Sequence, residues 1–354
     1  MVTGPDGLEE MTVLLEVDEL TALVERVLAA NGFSPPNARV IAEVVVAAEH
    51  DGSRSHGLFR VPGYLADVAN GWADGRATPL VADAAPGVIV VDAGNGYCQP
   101  AYRAARDLFI EKTRVQGIAA LAIRNSHHLA VLWPEVEDLA ENGLVALAFR
   151  NSRSHMIPHR GRRKLFGTNP MAFACPRPGG PPLVWDQAAS FMARGDIMVA
   201  AKNGERVPLG AGVDREGNLT TDPQAILDGG AQLPFGGYKG SLIALMVEVI
   251  AAAATGSLLS LEDQSGDVPG AQSANAGELI IAIDPARTGG DGFLARIDRL
   301  VAGLRGNGEA RVPGERRHVA RRRAMAEGIS VPADVHARLV ELARRGAAVS
   351  GPVG

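Results

Sequence analysis

The stretch Asp51-Gly-Ser-Arg-Ser-His-Gly-Leu-Phe-Arg-Val-Pro-Gly-Tyr64 holds the side chains best suited to chemistry. His56 can give or take a proton near neutral pH, because a free imidazole titrates near ~6.5. Arg60 offers a planar fork that fits a carboxylate. The two lie four positions apart, so a helical turn after Gly57 would put both on one face. A proton donor beside a carboxylate clamp suits a small α-keto or α-imino acid. The same spacing also suits a capped helix start with a surface arginine. Ser55 can hydrogen-bond His56 or act as an N-cap. Asp196, in Ala193-Arg-Gly-Asp196, can orient or charge His56 across a cleft, or only favour a helix start through the dipole. Thr168-Asn169 can donate to a substrate or simply make a turn.

Other chemistries find less support. A Ser-His-Asp hydrolase is disfavoured, because Ser55 adjoins His56 in sequence and no G-x-S-x-G elbow exists. His127-His128 would need His155 or His159 to hold a metal, and there is neither an H-E-x-x-H helix nor a cysteine pair. A loop wall facing a ligand suits that pair better. Asp92-Ala-Gly-Asn-Gly-Tyr-Cys-Gln99 supplies two glycines of a dinucleotide fingerprint and lacks the third. No phosphate-binding G-x-x-x-x-G-K-[ST] loop occurs. Arg316, Arg317 and His318 follow a Pro-Gly helix opening, where they can bind phosphate or form a solvated basic face.

The elements that must position these groups alternate in type. Leu20, Leu23, Val24, Val27 and Leu28 stripe one helix, stopped at Gly32. Ser34-Pro35 opens a second, whose stripe from Val40 to Ala48 leads into the His56 segment. Helices are expected over Pro62–Asn70, Gln99–Val115, Pro134–Glu141, Ala193–Lys202, Gly292–Leu304 and Pro332–Ala347. A basic helix should open at Val312-Pro-Gly. Strands are expected at 87–92, 118–123, 144–149, 171–175, 183–185 and 279–283. Residues 165–170 read as a tight turn and 207–230 as loop-rich. The apolar helix over Ser241–Ala254 should be buried on most faces. Residues 1–12 and 351–354 read as loose ends.

The 354 residues, with 46% hydrophobic and 21% charged content, allow a large core of one or two domains. Aromatics are only 5%, so Ala, Val, Leu and Gly must fill closely packed α/β layers. A net charge of −5 implies no general affinity for nucleic acid. Cys98 and Cys175 are widely spaced and read as small buried hydrophobes, which points to a reducing, cytoplasmic compartment. No apolar run has the length of a membrane span. Met1–Glu10 does not read as a secretory leader.

Taken together, Ser55-His-Gly-Leu-Phe-Arg60, Arg124-Asn-Ser-His-His128, Leu165-Phe-Gly-Thr-Asn-Pro170, Trp185-Asp-Gln-Ala188 and Leu233-Pro-Phe-Gly-Gly-Tyr-Lys-Gly240 resemble the type-2 malate/L-lactate dehydrogenase family. These are NAD(P)-dependent oxidoreductases without a Rossmann domain. The likeness runs in order from about Asp18 to Ile329. The His-His pair, the Leu165–Pro170 turn, Gly195-Asp196 and Pro313-Gly-Glu-Arg-Arg-His318 resemble the Δ1-piperideine-2-carboxylate/Δ1-pyrroline-2-carboxylate reductase branch. Many hydroxyacid dehydrogenases of the family carry lysine where this chain has Asp196.

The resemblance implies an α/β, α+β-like fold with a largely antiparallel sheet in the cofactor domain and a helical domain from the two ends of the chain. It suggests an N-terminal helical, substrate region over 1–125, an NADPH-binding domain over 126–290 and returning helices over 291–354. It makes His56 the proton donor, with Ser55 and Asp196 as relay partners, and gives the substrate to Arg60 and Thr168. NADPH would be held by His128, Leu129, Ala130, Val131, Leu132, Asp186, Gln187, Ala188, Gly237, Tyr238, Lys239, Val312, Pro313, Gly314, Glu315, Arg316, Arg317 and His318. A homodimer is implied, with the cleft near the subunit contact. The implied reaction is NADPH-dependent reduction of the cyclic imine to L-pipecolate or L-proline. A dehydrogenase of a linear 2-hydroxy acid and a catalytically silent cofactor-binding protein are the rival readings. Departures from the pattern are Cys98, Leu129, Gln187, and the added charges Arg153 and Arg160.

Overall fold

A computed structural model describes residues 11–344. Most of the loose tail expected over 1–12, all of that at 351–354, and the end of the closing helix lie outside this range. Thr12 already opens a strand. The chain begins with β1 (Thr12–Leu15), α1 (Val17–Ala30), α2 (Pro35–His50) and α3 (Val61–Ala69). There follow β2 (Leu80–Ala85), β3 (Val88–Tyr97), α4 (Cys98–Gln116), β4 (Ile118–His127), α5 (Trp133–Glu141), β5 (Val145–Arg150), β6 (Met171–Cys175) and β7 (Leu183–Gln187). Next come α6 (Arg194–Asn203), β8 (Gly212–Val213), β9 (Leu219–Thr220), α7 (Pro223–Leu227), β10 (Ala231–Gln232) and α8 (Tyr238–Val247). The chain closes with β11 (Ala276–Ile283), α9 (Pro285–Thr288), α10 (Phe293–Arg305), α11 (Glu315–Glu327), β12 (Ile329–Pro332) and α12 (Ala333–Arg344).

A seven-stranded sheet runs in the order β2-β3-β4-β11-β5-β6-β7. Only β3 and β4 pair in parallel, joined through α4; the other ladders are antiparallel. This is the mixed, mostly antiparallel architecture that the resemblance implied. The boundary expected at 125/126 falls inside β4, and the sheet draws strands from both sides of it.

Two main cores form. In the first, small side chains let helices approach the sheet closely: Ala146, Ala148, Ala172, Ala174 and Ala282 are fully buried among Ile89, Leu121, Phe109 and Leu139. In the second, the stripe of α1 (Leu20, Val24, Val27, Leu28) meets Ile41 and Val45 of α2, Tyr64, Tyr97 and Leu339 of α12. β1 pairs antiparallel with β12, so the end of the described chain is tied to its beginning.

Several strands escaped sequence reading. β2 is exposed along its whole length and has no apolar alternation to reveal it. β3 runs on past the expected Asp92 to Tyr97, with a register shift between Asp92 and Gly96. Gly94 and Asn95 lie there at φ near +62°. The two glycines of the fingerprint fragment therefore serve a bulged strand that turns into α4. The apolar helix expected over 241–254 differs in two ways. α8 widens into a π-helical stretch at Glu248–Ala253, and Leu242, Leu245, Met246 and Val249 are exposed. An apolar run reports burial without telling a core from an interface. Among the described residues no helix is long and apolar enough to cross a membrane.

A buried ion network locks the two cores together. Asp51, which ends α2, accepts two hydrogen bonds from Arg321 of α11, at 2.9 and 2.7 Å. Arg321 also donates to Glu137 of α5 at 2.6 Å, and His50 Nδ1 lies 2.6 Å from Asp51. Burial opposes the charge on Asp51, but Arg321 and His50 outweigh it and hold the carboxyl below its ordinary value of 3.8. Asp51→Asn should therefore lower unfolding stability by about 2 kcal/mol, the scale of a lost charged hydrogen bond. The wild-type advantage should be present above pH 3.8 and vanish as the pH falls through the depressed native value. Denaturant melts at several pH values check both.

Candidate active site

The His56 loop is held from below by α2. Glu49 Oε2 accepts the Leu58 backbone N–H at 2.9 Å, and a Cβ on Gly57 would come within 2.2 Å of that oxygen. Glycine is thus required for the carboxylate to reach under the loop. The loop itself is two single 3₁₀ turns, Arg54–His56 and Leu58–Arg60, rather than one α-helical turn. His56 and Arg60 still face one cleft, of about 1030 Å³, at the upper end for a cofactor or small-molecule site.

Ser55 Oγ lies 3.0 Å from His56 Nδ1, and Arg60 Nε donates to the Ser55 carbonyl at 2.8 Å. That bond leaves the two terminal nitrogens of the arginine for a ligand. Burial, and then the Arg60 charge, push His56 down to about 3. The imidazole is therefore neutral at physiological pH. Asp196 was expected to favour the imidazolium; it lines the same cleft, but its charge supports Arg60, and among the described residues it makes no hydrogen bond to His56. The N-terminal turn of α6 packs close against this pair. A Cβ on Gly195 would lie 2.6 Å from Arg60 Nη2 and 3.1 Å from the Ser55 carbonyl.

Thr168 forms the facing wall. Its N–H donates to Ser152 Oγ at 3.1 Å, and its carbonyl accepts from Ala189 N at 2.7 Å. The next residue, Asn169, has φ +40° and is fixed by buried contacts to Glu248 Oε1 at 2.8 Å and the Ala244 carbonyl at 3.0 Å. Glu248 in turn accepts from Ser260 N and Oγ. The π-helical stretch thus supplies the carboxylate that sets the Thr168 turn.

A third wall comes from the loop after β4 and from the end of β7. His128, Leu129, Ala130, Val131, Leu132, Asp186, Gln187, Ala188 and Arg317 all line the cleft. Asp186 accepts the Leu132 N–H at 2.7 Å, so it shapes the loop where α5 begins. Burial raises its pKa. Arg317 lies over the Trp133 ring at 4.6 Å and donates to the Val184 carbonyl at 3.3 Å.

The other residues expected at the cofactor do not line the cleft. Gly237 begins α8 at φ +57° beside His159, while Tyr238 and Lys239 are exposed. Val312 is buried with Cys175, Leu183 and Val301. Gly314 caps α11, and Pro313 precedes it. Glu315 pairs with Arg305, Arg316 is exposed, and His318 Nε2 sits 3.1 Å from the Pro182 carbonyl. His127 is also away from the cleft, between Ser273 Oγ at 2.9 Å and Asn95 Oδ1 at 3.0 Å. Among the described residues no three His, Cys, Asp or Glu side chains gather as a metal site.

Sequence reasoning missed Arg150, Ser152 and Arg194, all of which line the cleft. Arg150 continues the inward face of Ala146 and Ala148 on β5, a period-two signal that its charge obscured. It is held by Ser126 Oγ at 3.0 Å, the Ser126 carbonyl at 2.9 Å and Glu278 at 3.5 Å.

The chain matches the malate/L-lactate dehydrogenase family over residues 15–340. It belongs to that family. It is 49% identical, over 95% of its length and 98% of the relative's, to a Delta(1)-pyrroline-2-carboxylate/Delta(1)-piperideine-2-carboxylate reductase of Pseudomonas syringae pv. tomato. It is 50% identical to a protein of the same name from Pseudomonas putida, over 88% of this chain and 92% of that one. The crystal structure of delta1-piperideine-2-carboxylate reductase from Pseudomonas syringae superposes with a TM-score of 0.92 at 50% identity, over 94% of this chain and all of that one.

Membership in this dehydrogenase family implies a nicotinamide cofactor, and the cleft fits one. Two buried polar atoms on the third wall, His128 Nε2 and Arg317 Nη1, have no hydrogen-bond partner, a costly state that a polar ligand relieves. Gly195→Ala tests the packing around Arg60. Gly195 lies within α6 and outside the positive-φ glycines, so alanine is conformationally acceptable and the change falls on the contacts with Arg60 and Ser55. Binding of pyridine-2-carboxylate, followed by calorimetry, should weaken by about tenfold, the scale of a lost charged hydrogen bond.

Proposed function

We propose that this family member reduces cyclic 2-imino acids, Δ1-piperideine-2-carboxylate and Δ1-pyrroline-2-carboxylate, to L-pipecolate and L-proline with NADPH. The carrying observation is that His56, Arg60 and Thr168 line one cleft in a chain so similar to reductases of that name. A bound nicotinamide supplies the hydride; the protein supplies position and the proton. Arg60 takes the 2-carboxylate on its two free nitrogens, and Thr168 binds from the facing wall. With Nδ1 engaged by Ser55, Nε2 of His56 is left for the imine nitrogen. The arriving carboxylate offsets the Arg60 charge, the second cause of the low His56 pKa. Substrate binding and proton uptake are thereby coupled. Ser55 is the relay partner at Nδ1, and Asp196 acts through Arg60, whose charge it supports. Such a positioned acid contributes roughly 10²–10⁴ in rate.

The residues His128–Leu132, Asp186–Ala188 and Arg317 would hold the cofactor. The unpartnered Arg317 nitrogen favours an anionic group there, which suits a phosphate of the dinucleotide. Both cysteines are free and buried, which supports a reducing cytoplasm. A homodimer is supported by the exposed stripe Leu242, Leu245, Met246 and Val249, whose spacing forms one helical face.

The deciding assay follows NADPH absorbance with Δ1-piperideine-2-carboxylate and pyruvate in parallel. A large preference for the imine is expected, and His56→Ala should lose at least ~100-fold in kcat while still binding NADPH. A preference for pyruvate would move the chain to the 2-hydroxy acid dehydrogenases. Leu245→Glu should convert the dimer to monomer on sizing with light scattering; an unchanged mass would remove α8 from the interface.

A further inference from the structure

The proposed reaction needs one anion clamp, yet the cleft carries charge for more. Seven arginines and three carboxylates line it. Most of the arginines have partners. Arg150 is held by Ser126 and Glu278, Arg317 by Val184 and Trp133, and Arg54 lies 3.9 Å from Glu49. Arg206 approaches Thr221 Oγ1 at 3.5 Å. Arg153 donates to the Ala271 carbonyl at 2.9 Å, with Asp263 at 3.6 Å. Arg194 is different: its guanidinium makes no hydrogen bond or ion pair among the described residues, although it is only partly exposed.

Arg194 is also surrounded by its own sign. Burial, then Arg153 and Arg60, lower its pKa to about 10. His155 on the same cleft is pushed well down by burial and by Arg194, Arg153 and Lys164. Asp196 and Glu205 are the carboxylates at this end. Asp196 supports Arg60, and Glu205 accepts from Asn203 at 3.2 Å. Arg194 thus lies half-buried beside Arg153 and Arg60 with no ion-pair partner of its own among the described residues, and an anion that enters this end of the cleft is favoured.

We propose that Arg194 and Arg153 form a second anion subsite beside Arg60, which takes a second carboxylate on the substrate. The favoured substrate class is then a cyclic 2-imino acid carrying another carboxylate on the other side of the ring nitrogen, of the Δ1-piperideine-2,6-dicarboxylate type. This rests on the reading that Arg60 holds the first carboxylate. The Gly195 contact places α6, and Arg194 with it, directly against that clamp. Arg317 and Asp186 lie instead on the third wall. Arg194 adjoins Gly195 in sequence, so the clearance for Arg60 and the free cation come from one turn of chain.

Two measurements test the subsite. Calorimetry compares pyridine-2-carboxylate with pyridine-2,6-dicarboxylate on the protein saturated with NADPH. Steady-state kinetics compares the two imines, mono- and dicarboxylate, with NADPH and with NADH. The wild type should favour the dicarboxylate by about tenfold or more, the scale of one charged hydrogen-bond pair. Arg194→Gln and Arg153→Gln should each bring the dicarboxylate-to-monocarboxylate ratio toward one, and Arg194→Lys should retain part of it. A wild-type ratio of one or below, or a ratio that neither glutamine variant moves, overturns the proposal. So does a rise in KM for NADPH and not for NADH in Arg194→Gln, which would give the arginine to the extra phosphate of the cofactor. A dicarboxylate preference in binding with no turnover of either imine would keep the subsite and overturn the reductase reading instead.

Discussion

Arg321 is the fastener on which the site depends. It joins Asp51 at the end of α2 to Glu137 on α5, and its guanidinium lies over Trp133 at 5.3 Å. Three distant parts of the chain meet there. The His56 loop leaves directly from Asp51, and the loop that lines the third wall ends at Trp133. One ion network therefore sets the spacing between the His56 loop and the third wall. Burying such charges costs desolvation, which the paired geometry offsets only while every partner is present. The arrangement is better understood as fixing one geometry than as adding stability.

A second principle runs through the cleft: positive charge gathers on its walls, and its polar groups are held by neighbours. His56 stays neutral because it is buried beside Arg60. Arg60 spends one nitrogen on Ser55 and keeps its fork free. The Thr168 turn is set by the buried chain Asn169–Glu248–Ser260 rather than by solvent. Each of these cleft groups is thus anchored by a neighbour, which fixes its geometry in advance.

The departures from the family pattern are spread through the site region: Leu129 and Gln187 stand on the third wall, and Arg153 lines the cleft near Arg194. Arg153 stands in the polar segment before the Leu165–Pro170 turn, and Arg194 stands beside Asp196. Neither disturbs His56 or Arg60. Both add positive charge to that end of the cleft.

The sequence by itself determined whatever is encoded locally. The stripes of α1 and α2 and the strands at β4, β5 and β11 follow from periodicity, because burial of one face is a local pattern. His56, Arg60 and Asp196 were singled out by residue type and by the motifs around them, although spacing alone suited a capped helix start equally well. Tertiary structure decided the rest. β1 and β12 are too short to announce themselves and form only by pairing across more than 300 residues. β11 enters the sheet between β4 and β5 long after both. Which face of α8 stays exposed, how closely Gly195 packs against Arg60 and Ser55, and that Arg194 lacks a partner among the described residues all depend on segments remote in the chain. Electrostatics and steric clearance act through space, and no spacing along the chain reports them.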